Sequence, residues 1–362
     1  MSRNEMHSRE TIGPFTVRAR HRGALIAVGL AVAAVATGCG NAATSPASAT
    51  ASGPSPSSSV PDQSSPLGSA TGWIAYQRPS GGVDDAIFLV RTDGTDDHEI
   101  GADVEPGSIH HHPDWSPDGS QLLFDVQGEP DQLYVMNADG SDARIVTECV
   151  LPECVGATHA SWSRDGTRIA AAYAIGPLGP SGPARLGLAV IDVASGARTV
   201  ILDHDAADGQ DLYPRWSADD EQLVFWRERN DRTTAIFVID VDGDNLTQLT
   251  EWDQSAGDPD WSPDGTLIVF TTHPLRVFGG SERSDLYTMR PDGTDVRQVT
   301  YLDGSRATQP RWTPDGEAII YTRVGASGHP RHVWAIRSDG TDDSPVLTTR
   351  DISTSPVLQP TR

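Results

Sequence analysis

Five stretches of the chain repeat one pattern: "PDWSPDGSQLLF", "ASWSRDGTRIAA", "PRWSADDEQLVF", "PDWSPDGTLIVF" and "PRWTPDGEAIIY". Their tryptophans are Trp115, Trp162, Trp216, Trp261 and Trp312, spaced by 47, 54, 45 and 51 residues. A period of this size means that each unit is one supersecondary element that buries its apolar face only against its neighbours. A second signature falls between the tryptophans six times: "LVRTDGTD", "VMNADGSD", "VIDVASGA", "VIDVDGDN", "TMRPDGTD" and "AIRSDGTD". Asp-Gly suits hairpin turns that need positive φ, so each unit reads as strand, turn, strand, longer loop, strand, turn, strand.

Four antiparallel strands per unit at this period predict an all-β, six-bladed β-propeller over residues 71–362. Five units are complete. The front of the chain, "GWIAYQR" with "IFLVRTDG", lacks its first strand, and "STSPVLQP" at the C-terminus aligns with "ATQPRWTP" without the tryptophan. Pairing the N- and C-terminal ends in one blade would close the ring and remove two exposed edges.

The preceding residues read differently. Residues 1–38 hold arginines followed by "GALIAVGLAVAAVATG", the pattern of a signal peptide, with an apolar run shorter than the ~20 residues of a membrane span. "AVATGC" resembles the lipobox of bacterial lipoproteins, with Ala36 in place of the usual leucine, which implies lipidation of Cys39 and an extracytoplasmic, membrane-anchored protein; an ordinary secretory signal is the alternative. Residues 39–70 are rich in Ser, Pro and Ala and read as a flexible tether. Of the three cysteines, Cys149 and Cys154 in "ECVLPEC" are left to bond to each other in an oxidising compartment. The chain has no lysine, and residues 1–38 carry five arginines and two glutamates, so the remainder holds 22 basic against 48 acidic residues. Nucleic acid and bare anionic headgroups are therefore poor partners, which leaves the lipid anchor as the expected membrane contact and a monomer as the expected state.

The repeated "P-x-W-S-P-D-G" with "Y-x-M-x-x-D-G" resembles the propeller repeats of the TolB family, periplasmic proteins of the Tol envelope system, from about Gly72 to Pro360. The resemblance implies a six-bladed fold and protein binding. That family's smaller N-terminal domain has no counterpart here, so membership of the Tol complex is not implied. Related repeats occur in oligogalacturonate lyases and in prolyl-oligopeptidase-like peptidases, but the G-x-S-x-G elbow of the peptidases' hydrolase domain is not in this sequence.

In a propeller the turns after strands one and three share one face, here the uniform "SPDG" and "DGT" turns. The other face collects the variable segments: the inserts at 174–185 and 273–284, the disulfide loop, the triple histidine, and Trp226 and Trp252 nearby. Per-repeat insertions on one face mark the binding face. Side chains alternate along a strand, so residues three and one before each tryptophan are expected to face the channel and the proline between them to face away. His110 and His111 are expected in a solvent-facing loop. The upper channel ring is then His112, His159, Tyr213, Asp258, Gln309 and Ser355, a candidate ligand site, above a deeper ring of Asp114, Ser161, Arg215, Asp260, Arg311 and Val357 filled by ion pairs. His112, His159, Asp258 and Gln309 form a donor set suited to Zn²⁺, Mn²⁺ or Fe²⁺. The oligogalacturonate lyase resemblance implies the same, although that family uses three histidines on seven blades, and a wet channel needs polar residues without any metal. The acidic turn Asp240, Asp242, Asp244, Asn245 and Glu251 has EF-hand spacing but matches the turn of every other unit. No catalytic nucleophile, phosphate loop or cofactor fingerprint is visible, so a non-catalytic module binding an envelope protein, peptide or polymer is expected. The alternative is a metal-dependent lyase or hydrolase acting on sugars or lactones at the channel mouth.

Overall fold

The structure is a computed structural model that describes residues 66–67, 72–80, 83–128, 130–150, 154–179, 182–205, 209–272, 284–326, 330–347 and 354–360, with the backbone alone described at 83–84, 175–179, 182–186 and 205. The signal segment, Cys39 and residues 40–65 of the tether lie outside them. Six four-stranded antiparallel sheets form six blades. Blade 1 comprises Thr354–Leu358, Trp73–Ser80, Val83–Arg91 and His98–Ile100; blade 2, His110–Trp115, Gln121–Val126, Gln132–Asn137 and Arg144–Ile145. Blade 3 comprises Cys154–Trp162, Arg168–Gly179, Gly182–Asp192 and Arg198–Asp205; blade 4, Gln210–Trp216, Gln222–Glu228, Thr234–Asp240 and Thr247–Gln248. Blade 5 comprises Ala256–Trp261, Ile268–Thr272, Asp285–Met289 and Arg297–Gln298; blade 6, Arg306–Trp312, Ala318–Val324, Arg331–Arg337 and Ser344–Leu347. No helix among the described residues is long and apolar enough to cross a membrane.

The C-terminal strand pairs antiparallel with Trp73–Ser80, matching Ile74 with Leu358 and Ala75 with Val357. The ring is therefore closed by hydrogen bonds between the two ends of the propeller sequence, as the repeat alignment predicts.

The turn after the inner strand is built the same way in blades 2 to 6. In blade 2, Ser116 and Ser120 hydroxyls donate to Asp118 at 2.8 and 2.6 Å, and the Ser120 N–H donates to the same oxygen at 3.0 Å. Such self-bonding makes Asp a turn former, and the following Gly119 supplies the required φ of +67°. Blade 4 has Asp220 at the glycine position with φ 59°. Its carboxylate accepts the N–H groups of Arg164 and Asp165 at 2.7 and 2.9 Å, so the substitution fastens the turn of blade 4 to that of blade 3.

The apolar cores lie between blades. Trp115 packs with Leu89 and Ile87 of blade 1, Trp162 with Leu123 and Val135 of blade 2, and Trp216 with Ala170 and Leu188 of blade 3. Trp261 packs with Val224 and Ile236 of blade 4, and Trp312 with Val269 and Leu286 of blade 5. Each tryptophan is thus a wedge against the preceding blade. At the closing interface Leu358 occupies the tryptophan position, and Leu67 joins it in the core shared with Ile320 and Val333 of blade 6. The packed body reaches back to Leu67, ahead of position 71 where the repeat pattern begins.

Replacing Trp261, which is 2% exposed, with Ala leaves a cavity between blades 4 and 5 and is expected to cost about 3–5 kcal/mol, read as a fall of roughly 10 °C in Tm. Removing residues 354–362 reopens the ring and should abolish the cooperative thermal transition; an unchanged melt would contradict end-to-end closure.

Candidate functional site

The inner strand of every blade carries one residue more than its neighbour. In blade 2, His111 pairs with Asp125 and Asp114 with Leu123, so His112 and Pro113 together face Phe124. The same bulge recurs at His159, Tyr213, Asp258, Gln309 and Ser355. The six bulge residues have φ of 50, 55, 53, 51, 53 and 50° in ring order from His112, a left-handed conformation uncommon outside glycine. Proline follows in five of the six. It has no N–H to leave unpaired at a bulge, which is where a sheet tolerates it.

At four of the six bulges the rotated N–H is taken by the preceding blade. His112 N–H donates to Gln77 Oε1 at 3.0 Å, His159 N–H to Asp125 Oδ1 at 3.3 Å, Gln309 N–H to Asp258 Oδ2 at 3.1 Å and Ser355 N–H to Gln309 Oε1 at 2.9 Å. The bulge also resets the side-chain alternation. The expectation that the prolines turn away from the channel is corrected: Pro113, Pro259, Pro310 and Pro356 line the same central pocket as His112, Tyr213, Asp258, Gln309 and Ser355, with Arg215 and Arg311 at its floor.

A second correction concerns the other two histidines, which belong to the strand and not to a loop. His110 is buried against Phe124, with ring centroids 5.5 Å apart. His111 lies between two carboxylates, Nε2 3.5 Å from Asp85 and Nδ1 3.8 Å from Asp125. A strand runs through all three histidines because the inner strand of blade 2 pairs with Gln121–Val126 along its whole length, from His110 opposite Val126 to Trp115 opposite Leu122.

The upper ring places His112, His159 and Tyr213 in contact, with ring centroids 4.2 Å apart for the two imidazoles and 4.3 Å for His159 and Tyr213. His112 Nδ1 is 2.9 Å from Asp125 Oδ1 and its Nε2 is 3.0 Å from the Tyr213 hydroxyl, to which the Gln309 amide donates at 3.4 Å. Asp258 and Gln309 use oxygens on the backbone of the next blade. The compact histidine and carboxylate cluster among the described residues is His111, His112 and Asp125, whose donor atoms lie within 4.8 Å of one another. Asp125, Asp85, Asp131 and Gln77 are not marked by the repeat motif. Asp125 was nevertheless detectable as the lone carboxylate at a position where the other units carry Gln77, Ala172, Trp226, Thr271 and Thr322.

Burial opposes ionisation of Asp125, yet the charge and hydrogen bond of His112, aided by His111 and His159, outweigh it and hold the carboxyl at about 2. Burial and neighbouring His112 push His159 well below the usual imidazole range, and burial lowers His110 as well. At His111 burial is outweighed by the Asp85 hydrogen bond and the Asp125 charge, which raise it. Asp131 is pushed up to about 6 by burial, helped by Asp125. Tyr213 is raised by burial and by Asp258.

Beneath this ring polar side chains cross the channel, and below them a second cavity, lined by Asp114, Ser161, Arg215, Asp260 and Arg311, opens among the uniform turns. Arg311 bonds Asp114 and sits 3.6 Å from Asp260, while Arg215 donates to the Ala160 carbonyl at 3.2 Å. Asp114 and Asp260 also accept the N–H groups of Trp162 and Trp312, each at 2.9 Å. Ser161 donates to the Pro214 carbonyl at 2.7 Å, and Val357 supplies no charge.

On the variable face Cys149 and Cys154 form the expected disulfide, and both backbone groups of Cys149 are held by the Gln132 amide. The insert at 174–185 is an extension of the hairpin between Arg168–Gly179 and Gly182–Asp192; of the insert at 273–284 only Ser284 lies within the described residues. Trp226 packs 6.3 Å from Tyr213. The Arg229 guanidinium lies 3.6 Å from the Trp252 ring, and Tyr301 is 79% exposed. The acidic turn at Asp240 closes on itself through Asp242 and Asn245 and leads into the strand Thr247–Gln248, as in the other units.

Because His159 and His110 are held neutral when folded but gain a proton near pH 6.5 when unfolded, stability falls as pH drops below about 6.5. The slope is up to about 1.4 kcal/mol per pH unit for each. Asp131 acts oppositely, since its folded form takes up a proton near 6. Urea denaturation at pH 7 and 5 should show a smaller pH dependence in His159→Gln and a larger one in Asp131→Asn.

A 183-residue segment is 29% identical to the "Uncharacterized peptidase YuxL" of Bacillus subtilis, covering 49% of this chain and 24% of that one. The chain spans less than half the length of the curated relatives it matches. The fold is similar to TolB from Acinetobacter baumannii, with TM-score 0.61 at 15% identity over 80% of this chain and 67% of that one. It is also similar to a putative TolB from Agrobacterium tumefaciens, with TM-score 0.55 at 19% identity over 77% and 89% of the two chains. The family model described as "TolB beta propeller domain" matches residues 160–362, more than half of the sequence, so the chain belongs to the TolB beta-propeller family.

Proposed function

We propose that this chain is an exported, lipid-anchored propeller that acts as a non-catalytic binding module for an envelope protein, peptide or polymer, through the face that carries the variable loops. The observation that carries this function is the preorganised mouth of the channel on the variable face. The Arg311, Asp114 and Asp260 contacts form its floor, and the mouth is lined by His112, Tyr213, Gln309 and four prolines. Bulge hydrogen bonds at His112, Gln309 and Ser355 and the hydroxyl contacts of Tyr213 fix the mouth before any ligand arrives, and a preorganised surface loses little entropy on binding. Around the mouth, Trp252 with Arg229 and the exposed Tyr301 supply the aromatic and arginine groups that dominate protein interfaces. The excess of acidic residues favours a neutral or basic partner. The signal segment and Cys39 would hold the module outside the cytoplasm, at the end of its tether. The hydrogen-bonded series Asp125, His112, Tyr213 supports the second function, an enzyme acting on sugars or lactones, since a carboxylate-oriented imidazole beside a hydroxyl can move a proton.

Affinity capture from envelope extracts should retain one abundant component that Tyr301→Ala and Trp252→Ala each weaken about 10-fold or more, while Asp139→Ala and Asp292→Ala on the opposite face leave it unchanged. Equal loss from both faces would refute the assignment of the binding face.

A further inference from the structure

We propose that His111, His112 and Asp125 form a divalent transition-metal site at the rim of the channel, sharing only His112 with the ring of side chains around the axis. It does not rest on the binding function proposed above. Two consecutive residues of a regular strand point to opposite faces of a sheet, so adjacent histidines ordinarily cannot share an ion. The bulge at His112, with φ 50°, breaks that rule. It turns both Nδ1 atoms toward one carboxylate, His112 at 2.9 Å from Oδ1 and His111 at 3.8 Å from Oδ2. Donor atoms that share a tetrahedral Zn²⁺ through bonds of ~2.0–2.1 Å are about 3.3 Å apart. The two separations lie on either side of that spacing, and all three donor atoms lie within 4.8 Å of one another, so a bound ion would draw the two imidazoles together.

The surrounding groups are those a metal site uses. A ligating histidine normally has its other ring nitrogen held by a carboxylate or another polar group. Here His111 Nε2 faces Asp85 at 3.5 Å, and His112 Nε2 faces the Tyr213 hydroxyl at 3.0 Å. Asp125 is buried and additionally oriented by the His159 N–H at 3.3 Å. Asp131, fixed by the Gly128 N–H at 2.9 Å, adds a third carboxylate beside the cluster. The His111 side chain is 26% exposed, which leaves an entry path from solvent. Two imidazole nitrogens with one carboxylate select Zn²⁺, Fe²⁺, Ni²⁺ or Cu²⁺ over Ca²⁺ and Mg²⁺, which prefer sets of oxygen ligands. Open positions would remain on the channel side.

The test is titration of the full chain, without a histidine tag and stripped by chelator, with Co²⁺ followed by visible absorption, then displacement by Zn²⁺. One Co²⁺ per chain is expected, with d–d bands that Zn²⁺ removes. His111→Ala and Asp125→Asn should each weaken binding by about 100-fold or more and Asp85→Asn by about 10-fold, whereas Asp258→Asn leaves it unchanged. Melting of the stripped variants, with His111→Gln as a second substitution at the half-exposed position, separates lost ligands from lost fold. Absent Co²⁺ bands in the unaltered protein, or bands that survive in both folded His111 variants, overturn the proposal. Loss in Asp258→Asn with retention in His111→Ala would place the ion on the axis and overturn the rim site equally.

Discussion

The left-handed residue at the centre of each inner strand is the constraint on which the rest of the propeller depends. Holding a residue other than glycine in that region costs on the order of 1 kcal/mol or more, and this chain does so six times in a ring. The strain persists because the surroundings overdetermine it. The bulge frees one backbone N–H per blade, and at His112, His159, Gln309 and Ser355 a side chain of the preceding blade accepts it. The same bulge bends the strand, brings proline rings into the channel and turns a polar side chain toward the mouth. Closure of the ring and construction of the site are therefore one event.

The interfaces between blades follow from the same geometry. One residue before the tryptophan, Asp114 and Asp260 reach forward to the backbone of the next blade, while the indole packs backward on the previous one. Polar groups near the axis and apolar groups farther out thus fasten blade 2 to blade 3 and blade 5 to blade 6 twice. The closing blade differs: Leu358 is smaller than the tryptophan it replaces, and Leu67 shares its interface with blade 6. Leu67, which precedes the first strand, is thus part of the packed body.

A family assignment of this kind names a scaffold, and function resides in what is mounted on it. What distinguishes this chain is the concentration of imidazole and carboxylate groups at blades 1 to 3. Asp125 interacts with His111, His112 and His159, and its pull on a proton is offset by their charge. The remainder of the mouth uses its polar atoms on backbone groups. Titratable groups are therefore gathered on one side of the channel, an asymmetry that a sixfold pattern by itself does not produce.

The period, the Asp-Gly turns and the displaced sixth strand determined the fold from sequence alone, because each is a local property: a turn residue, a wedge or a strand either is present at its spacing or is not. The membership of the channel ring was equally legible, since it follows from counting back from the tryptophan. Which way neighbouring side chains point was not legible. Alternation is a property of regular strands, and the bulge that suspends it arises only when a second strand, with one residue fewer, is laid alongside. That pairing moved His110 into the core, set His111 and His112 on one carboxylate and made Asp125 part of the site. Asp125 lies on a different strand from the histidines, so its place depends on cross-strand register, which tertiary structure alone decided.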